Sequence, residues 1–421
     1  MVQLFFVISV IVIVYGAYFM IMGLFSFKKN STLINKYIPS TRFAVIIPAR
    51  NEEAVIGSLI DSLKGMNYPK ELFDIYTVVN NCTDDTEMIA RRKGAKIIPV
   101  MSDARCKGDV LKYAFSVLGK KPFDAYIVFD ADNVVHPGFL AEMNNIYKSG
   151  HRIAQGRKDT KNMGDSWISG SYSLFYNLQN YFYNKARTHI RATATINGTG
   201  FMVAKELVAD GFDPKSVTED IELSILALLK GHHVVYSDRA VTYDEQPSDM
   251  KTSWHQRKRW SKGIMQCTRL YSLKLLKNFF VKRDYSCLDK VLFMISPFMQ
   301  LVALVPTALM IILAASGSMP ETQGMPVHLS FLAGMIFSYG YTVALCLFTV
   351  IRYGQNIKES LPGVFMFIIF MLSWIPINIV CLKPEKNYQW IPVRHKRNVD
   401  LNVLTKGVLE EEKISSFYMI I

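Results

Sequence analysis

Apolar side chains recur along this chain in two different rhythms. Four runs, 4–27, 291–315, 329–351 and 362–382, are long and unbroken enough to be weighed against the roughly 20 apolar residues that a membrane-crossing helix needs. Between the first and second runs, short apolar stretches alternate with helical patterns, which is the mark of parallel strands joined by crossover helices. Residues 43–47, 75–79, 96–100 and 126–129 read as strands, and helices are expected after Asn51, near Asp84, near Lys107 and at Pro137. The expected fold is an α/β domain with a mostly parallel sheet, joined to an α-helical transmembrane region with amphipathic helices at its interface. The boundaries read as 1–28 for a first transmembrane helix, 40–250 for the α/β domain and 251–285 for interface helices. Residues 286–382 form the transmembrane or re-entrant helices, and 383–421 a basic C-terminal segment.

The first run lacks the basic start and the small-residue cleavage site of a signal peptide, and Lys28 and Lys29 follow it, so it reads as an anchor with the next domain on the cytosolic side. The second run then leaves the cytosol, and the third returns near Arg352 and Lys358. If 362–382 also crossed, the basic tail with Trp390 would lie outside, against the positive-inside rule. That segment contains Ser373, Trp374, Pro376 and Asn378, and a re-entrant or interfacial course is expected for it.

Composition sharpens this reading. The chain has 421 residues, 50% of them hydrophobic, too long for one ordinary domain and too apolar to be wholly soluble. Its net charge of +13 invites a nucleic-acid partner. The basic residues, however, gather at 251–282 and 383–406, beside the hydrophobic runs, with no nucleic-acid motif among them, so anionic lipid head groups are the expected contact. Six cysteines without metal-ligand spacing are expected to be reduced thiols.

In an open α/β sheet a ligand sits beyond the carboxyl ends of the strands, and every informative polar cluster in the half that holds these four strands falls there. The first strand leads into Pro48, Ala49, Arg50, Asn51, Glu52 and Glu53; the second into Asn80, Asn81, Cys82, Thr83 and Asp84. Thr83 is placed to cap the next helix. Taken singly these loops are helix caps; together they form a cup for a nucleoside. Asp130 and Asp132, one residue apart after the fourth strand, suit a hard divalent cation that wants oxygen ligands and substrate phosphates; a solvated turn is the plainer alternative. Lys107 at a helix start can meet a phosphate, or be a surface lysine. Gly198 and Thr199 lie in a loop ahead of another apolar run. Thr218, Glu219 and Asp220 open an amphipathic helix, the threonine placed as its cap, and one carboxylate could serve as a general base or only favour the helix dipole. Gln256, Arg259 and Trp260 lie on a basic amphipathic stretch suited to a membrane surface. Arg259 could stabilise a leaving diphosphate and Trp260 offer a ring to a sugar.

Asp130-Ala131-Asp132, Thr218-Glu219-Asp220 and Gln-x-x-Arg-Trp at 256–260, in this order and ahead of transmembrane helices, resemble the processive family 2 glycosyltransferases, the cellulose, hyaluronan and poly-N-acetylglucosamine synthases. The resemblance implies a GT-A-like nucleotide-sugar domain. It implies contacts to a UDP-sugar from Pro48, Ala49, Arg50, Glu52, Asn80, Asp84, Lys107, Asp130, Gln256, Arg259 and Trp260, and Mg2+ or Mn2+ held by Asp130 and Asp132. Asp220 becomes the catalytic base, with Glu219 next in line. Gly198, Thr199, Trp260 and Trp390 are expected on the path of the growing glycan acceptor, and Tyr172, Phe175 and Trp167 are further rings that could stack on sugars. The chain departs from the pattern where relatives carry an aspartate in the second loop and Asn80 or Asn81 stands here, and it carries no cellulose-synthase gating sequence; 390–395 looks more like the terminal loop of hyaluronan synthases. The expected activity is processive, inverting polymerisation of a UDP-sugar into a β-linked polysaccharide, with β-glucan preferred. The rivals are a single transfer to a membrane lipid and a channel or scaffold subunit without catalysis.

Overall fold

A computed structural model describes residues 2–28, 35–100, 104, 106–316, 327–383, 395, 397–399 and 404. Eight strands form one sheet: β1 (Phe43–Ala49), β2 (Phe73–Val79), β3 (Lys96–Pro99), β4 (Ala125–Val128), β5 (Val134–Val135), β6 (Ile153–Thr160), β7 (Phe201–Ala204) and β8 (Val235–Asp244). Their order is β3-β2-β1-β4-β7-β6-β8-β5. The first four strands are mutually parallel, β7 runs antiparallel to both β4 and β6, and β6 pairs in parallel with β8. The four apolar runs expected as strands are β1 to β4. Strands β6 and β8 went unread because Arg157, Lys158, Asp159, Asp238 and Arg239 break their apolar rhythm.

Alternation along β1 shows why the sheet is covered on both faces. Phe43, Val45 and Ile47 enter one core with Leu59, Ile60, Leu63, Phe139 and Met143, whereas Ala44 and Ile46 enter the other with Leu111, Phe115, Leu223 and Ala227. Helices α2 (Ile56–Lys64), α4 (Lys107–Leu118), α5 (Phe139–Lys148) and the later helix at Glu219–Leu229 supply these side chains, and α3 (Thr86–Arg92) adds Ala90 to the first core, as strands with both faces buried require. The first helix, α1, is Val2–Leu24. Two expected caps are made differently: the Thr83 amide donates to Asn51 Oδ1 (2.8 Å), and Asp84 Oδ1 accepts from Thr86 N (3.1 Å) at the start of α3. Thr218 precedes its helix but makes no side-chain cap bond.

After β6 come α6 (Trp167–Leu178), a π-helical turn at Gln179–Lys185, α7 (Ala186–His189), α8 (Lys205–Val208) and α9 (Glu219–Leu229). The expected interface stretch is one long helix, α10 (Met250–Lys282), capped by Asp249, whose side chain accepts from Thr252 N. Its second half fits a membrane surface, with Leu273 81% and Phe280 73% exposed between Lys274, Lys277 and Lys282. Its first half is walled in by protein. At Gly263 a Cβ would lie 2.7 Å from Thr218 Cβ, so α10 reaches the loop ahead of α9 only because residue 263 has no side chain. Gly263→Ala is expected to cost about 1–3 kcal/mol through overpacking, read as a lowered melting temperature of the detergent-purified protein.

The remaining helices are α11 (Tyr285–Met294), α12 (Ser296–Val302), α13 (Leu304–Ala315), α14 (Val327–Arg352), α15 (Ile357–Leu372) and α16 (Trp374–Cys381). Among the described residues four stretches are long and apolar enough to cross a membrane: Val2–Phe27, Ser296–Leu313, Leu332–Arg352 and Ile357–Cys381. The first leaves Val7, Val10, Ile13 and Val14 exposed, a surface that lipid rather than water covers, and the protein is membrane-associated. The Ile357–Cys381 stretch is broken at Ser373; its start touches the segment that follows β6 and its end touches α10. Gly164 abuts Glu359, and Cys381 Sγ donates to Lys258 O (3.4 Å). Midway, α15 crosses α6 at Gly170 and Gly363, where a Cβ on Gly170 would lie 3.2 Å from Gly363 Cα. A fully buried ion pair, Arg187 to Asp289 at 2.8 Å, ties α7 to α11, and Tyr18 of α1 donates to the same carboxylate at 2.7 Å.

Candidate active site

The carboxyl ends of β1, β2 and β4 open on one cleft of about 1090 Å³. Pro48, Ala49, Arg50, Glu52, Asn80, Lys107, Asp130, Asp132, Gly198, Glu219, Asp220, Gln256, Arg259 and Trp260 all line it. Fifteen strands and α-helices lie between the first of these in sequence and the last, and the sheet brings them together.

The first two loops clasp each other. Asn51 and Asn81 adopt left-handed conformations (φ 59° and 50°), which asparagine tolerates better than most residues. Glu53 N donates to Asp84 Oδ2 (3.1 Å) and Asp85 N to Glu53 Oε2 (3.0 Å). Asp84, expected at the nucleoside, is thus spent on backbone amides and does not line the cleft. Asn80 does line it, 5% exposed, its Nδ2 donating to Ala104 O (3.2 Å) while its Oδ1 has no partner among the described residues.

Lys107, Asp130 and the loop ahead of β7 meet at the centre. Lys107 Nζ is ion-paired with Asp130 and donates to Gly198 O (2.7 Å). Asp130 N donates to Thr199 Oγ1 (3.0 Å), and that hydroxyl donates in turn to Asn133 Oδ1. Thr199 is fully buried and lies behind the cleft, where it fixes the Asp130 backbone rather than meeting an acceptor. Gly198 does face the cleft: a Cβ built there would lie 3.6 Å from Asp220 Oδ2.

Asp132 is 4% exposed and its Oδ2 accepts from Glu245 N (2.8 Å). Burial pushes its carboxyl up, but His395, Lys161 and the Glu245 amide outweigh burial and hold it below the usual carboxylate range. An ionised carboxylate beside the half-exposed Asp130 makes an oxygen donor set that fits a hard divalent cation. Among the described residues no third acid, histidine or cysteine completes a preformed cage, as befits a cation that takes its other ligands from phosphates and water.

Glu219 and Asp220 start α9 at the cleft wall. Burial raises both carboxyls; Asp220 adds to the rise at Glu219, while Lys107 and Arg259 pull both down. Glu222, one turn on, is fully buried and accepts from Lys215 N (2.9 Å) and Ser216 N (2.7 Å), which fixes the approach to Glu219 and Asp220.

Sequence reading missed several lining residues. Lys158 is paired with Asp244 (2.7 Å) and sits 4.1 Å from the Tyr176 ring centroid. Burial pushes the Asp244 carboxyl up to about 6, with Lys158 opposing. The pattern that drew attention to Asp130, acids directly after an apolar strand, recurs at Asp244 and Glu245. His395 ends the 390–395 segment that resembles a terminal loop, but was not itself singled out. It pairs with Glu52 (2.9 Å), and Asp132, Glu52 and Glu245 overcome its burial to push it up to about 10. Trp390, expected on the acceptor path, lies outside the described residues. Of the three extra rings, Phe175 lines the cleft; Trp167 does not, and Tyr172 is fully buried with its hydroxyl on Ser253.

The family model for glycosyltransferase-like family 2 matches residues 39–263, more than half of the chain. The chain belongs to this family. The transferase is 27% identical over 273 residues to the probable glycosyltransferase YdaM of Bacillus subtilis, a match that covers 61% of this chain and 63% of that protein. It is 23% identical over 345 residues to a beta-monoglucosyldiacylglycerol synthase of Nostoc, covering 79% of this chain and 71% of that one. Among solved structures it is similar to the mannosyltransferase PcManGT from Pyrobaculum calidifontis in complex with GDP-Man and Mn2+, with a TM-score of 0.58 at 16% identity over 89% of this chain and 98% of that one. That likeness shows the fold, a GT-A-like domain followed by apolar helices.

One further residue of the transferase works from behind the site. Arg257 is fully buried on α10, and its Nη1 donates to Phe370 O (3.0 Å) and Ser373 Oγ (2.7 Å) at the end of α15. Its guanidinium lies 4.3 Å from the Phe370 ring and 5.6 Å from the Trp374 ring. A cation at a helix C-terminus satisfies carbonyls that otherwise lack donors. Arg257→Met is expected to destabilise the protein by about 1–3 kcal/mol by removing the charged donor from Phe370 O and Ser373 Oγ, which are left only with each other (2.6 Å), with Arg257→Lys recovering part of the loss in a thermal melt.

Proposed function

We propose that this membrane-associated transferase catalyses metal-dependent, inverting polymerisation of a UDP-sugar, β-glucan being the favoured product, and feeds the chain between its apolar helices. The observation that carries this reading is the extent of the cleft. Beyond Asp220 and Trp260 it continues along Phe293, Ser296, Gln300, Trp374 and Asn378, and a lining of rings and amides inside apolar helices suits sugar faces and hydroxyls better than acyl chains.

In this reading Pro48 to Glu52 and Asn80 hold the nucleoside, with Asn80 Oδ1 free to accept a base N–H. Asp130 and Asp132 would hold Mg2+ or Mn2+, which supplies Lewis-acid neutralisation of the departing diphosphate. Lys107 and Arg259 add positive charge on the same side. Asp220 takes the proton of the acceptor hydroxyl as that oxygen attacks the anomeric carbon, and one in-line displacement turns an α-linked donor into a β-linked product. The domain lies in the cytosol, α12–α13 leaves and α14 returns. The Ile357–Cys381 stretch stays at the interface, since its start rests on the α/β domain at Gly164, its end rests on α10 at Lys258, and His395 reaches Glu52 beyond it.

A second reading, single transfer to a lipid, is favoured by the printed name of the Nostoc relative. Purified protein given each UDP-sugar in turn separates the two by UDP release and product mass. A long glycan is expected, and a single sugar on an organic-extractable lipid would replace the polymer reading.

A further inference from the structure

Two side chains on α16 stand out against their surroundings. Trp374 and Asn378 are one turn apart on one helix face, 8% and 1% exposed, and both line the cleft. Trp374 Nε1 and Asn378 Oδ1 are buried polar atoms without partners among the described residues. Asn378 Nδ2 is committed to Gln300 Oε1 of α12 (2.7 Å), which pins the orientation of both amides across the cleft wall. A donor and an acceptor left unpaired in an apolar helix are costly unless something pairs with them. No acyl chain does so, because it has no hydrogen-bonding groups.

The rings around them supply a flat support. Phe175, Trp260 and Trp374 lie 6.2, 6.2 and 6.4 Å apart, centroid to centroid, with interplanar angles of 20° to 30°. Three near-equal separations rule out a face-to-face column and make the rings a triangular cluster with nearly parallel planes. Arg257 holds Trp374 in this arrangement through Ser373 and the end of α15.

We propose that Trp374, Asn378 and Gln300 form a second sugar subsite, one ring behind the acceptor terminus that Trp260 receives, and that they make the enzyme prefer acceptors of two or more β-linked pyranoses. The sugar ring lies against this aromatic cluster. One of its hydroxyls accepts from Trp374 Nε1, and another donates to Asn378 Oδ1. This subsite rests on the polymer reading above.

The test uses the full chain in nanodiscs and measures transfer to added acceptors: glucose against cellotetraose with UDP-glucose, and N-acetylglucosamine against chitotetraose with UDP-N-acetylglucosamine. For Asn378→Ala and for Trp374→Phe, which keeps a ring but loses the N–H, the KM for the tetrasaccharide is expected to rise roughly fivefold to tenfold, the worth of one hydrogen bond. The KM for the monosaccharide and for the donor should stay put; melting temperature should hold or rise in Trp374→Phe, which removes an unpartnered buried donor, and fall modestly in Asn378→Ala, which also takes the donor from Gln300 Oε1. If wild-type protein elongates tetrasaccharides and both variants do so with unchanged KM, or weaken mono- and tetrasaccharide alike, the subsite is wrong while the polymer reading stands. If wild-type protein elongates neither oligosaccharide and glycosylates only lipid, both fall together.

Discussion

Asp220→Asn is expected to bind UDP and metal as the parent does and to transfer sugar at least about a hundredfold more slowly, the lower end of what a general base contributes. The structure adds a stability signature that separates this from a helix-start role. Burial raises the Asp220 carboxyl, and it also raises Glu219, with Asp220 adding to that rise. A carboxyl whose folded pKa is raised binds its proton more tightly in the folded state, so its stability contribution is fully present below the unfolded pKa. That contribution is lost as pH rises through the folded value. At neutral pH the pair is therefore a liability, and removing one charge is expected to leave melting temperature unchanged or raised. A purely structural acid would behave in the opposite way, losing about 1 kcal/mol of stability with nearly normal turnover. In the parent, the acid limb of the pH–rate profile should lie above the range of an ordinary aspartate and disappear in the variant. Turnover within a few-fold of the parent, on a preparation that still binds UDP, would move the base assignment to Glu219.

Asp132→Asn is the second large effect. The amide keeps the size and the acceptor for Glu245 N (2.8 Å), so the loop keeps its shape. The variant loses the charge that His395, Lys161 and that amide hold in ionised form. Neutralising a departing diphosphate through a metal is worth several kcal/mol. Transfer is accordingly expected to fall by at least about a hundredfold, and Mn2+ should no longer tighten UDP binding measured by calorimetry. Asp130→Asn should do less harm to folding, because Asp130 is half-exposed and its side chain rests on Lys107 alone among the described contacts. Undiminished metal-dependent turnover in Asp132→Asn would remove Asp132 from the cation site.

Sequence by itself determined the parts of this protein that depend on local pattern. The strands β1 to β4 were legible because each is a short apolar run ended by a polar loop, and a strand with both faces buried has no polar interruption. The loops at their ends followed at once, since the carboxyl edge of such a sheet is where ligands collect, and Asp130, Asp132, Lys107, Glu219 and Asp220 were found there. The apolar helices were legible by length alone. Strands β6 and β8 were hidden because their charged residues find partners only in the fold: Lys158 with Asp244, Arg157 with Asp159 at 3.4 Å. A paired charge inside a sheet looks in sequence like a loop.

Tertiary structure alone decided which polar residues face the cleft. Asp84 and Thr199 share their neighbours' composition, yet each is turned to backbone amides behind the site. His395 arrives beside Glu52 from far along the chain, and nothing in its local sequence specifies that approach. The acceptor wall was likewise out of reach. Trp374 and Asn378 read as irregularities in an apolar run, and Arg257 as one more basic residue in a basic helix. Their meaning comes from Arg257 capping α15 across a helix interface and from Gly263, whose missing side chain lets α10 press against Thr218. Such contacts depend on the distance and angle between helices, which hydrophobic periodicity constrains only to a face and never to a partner.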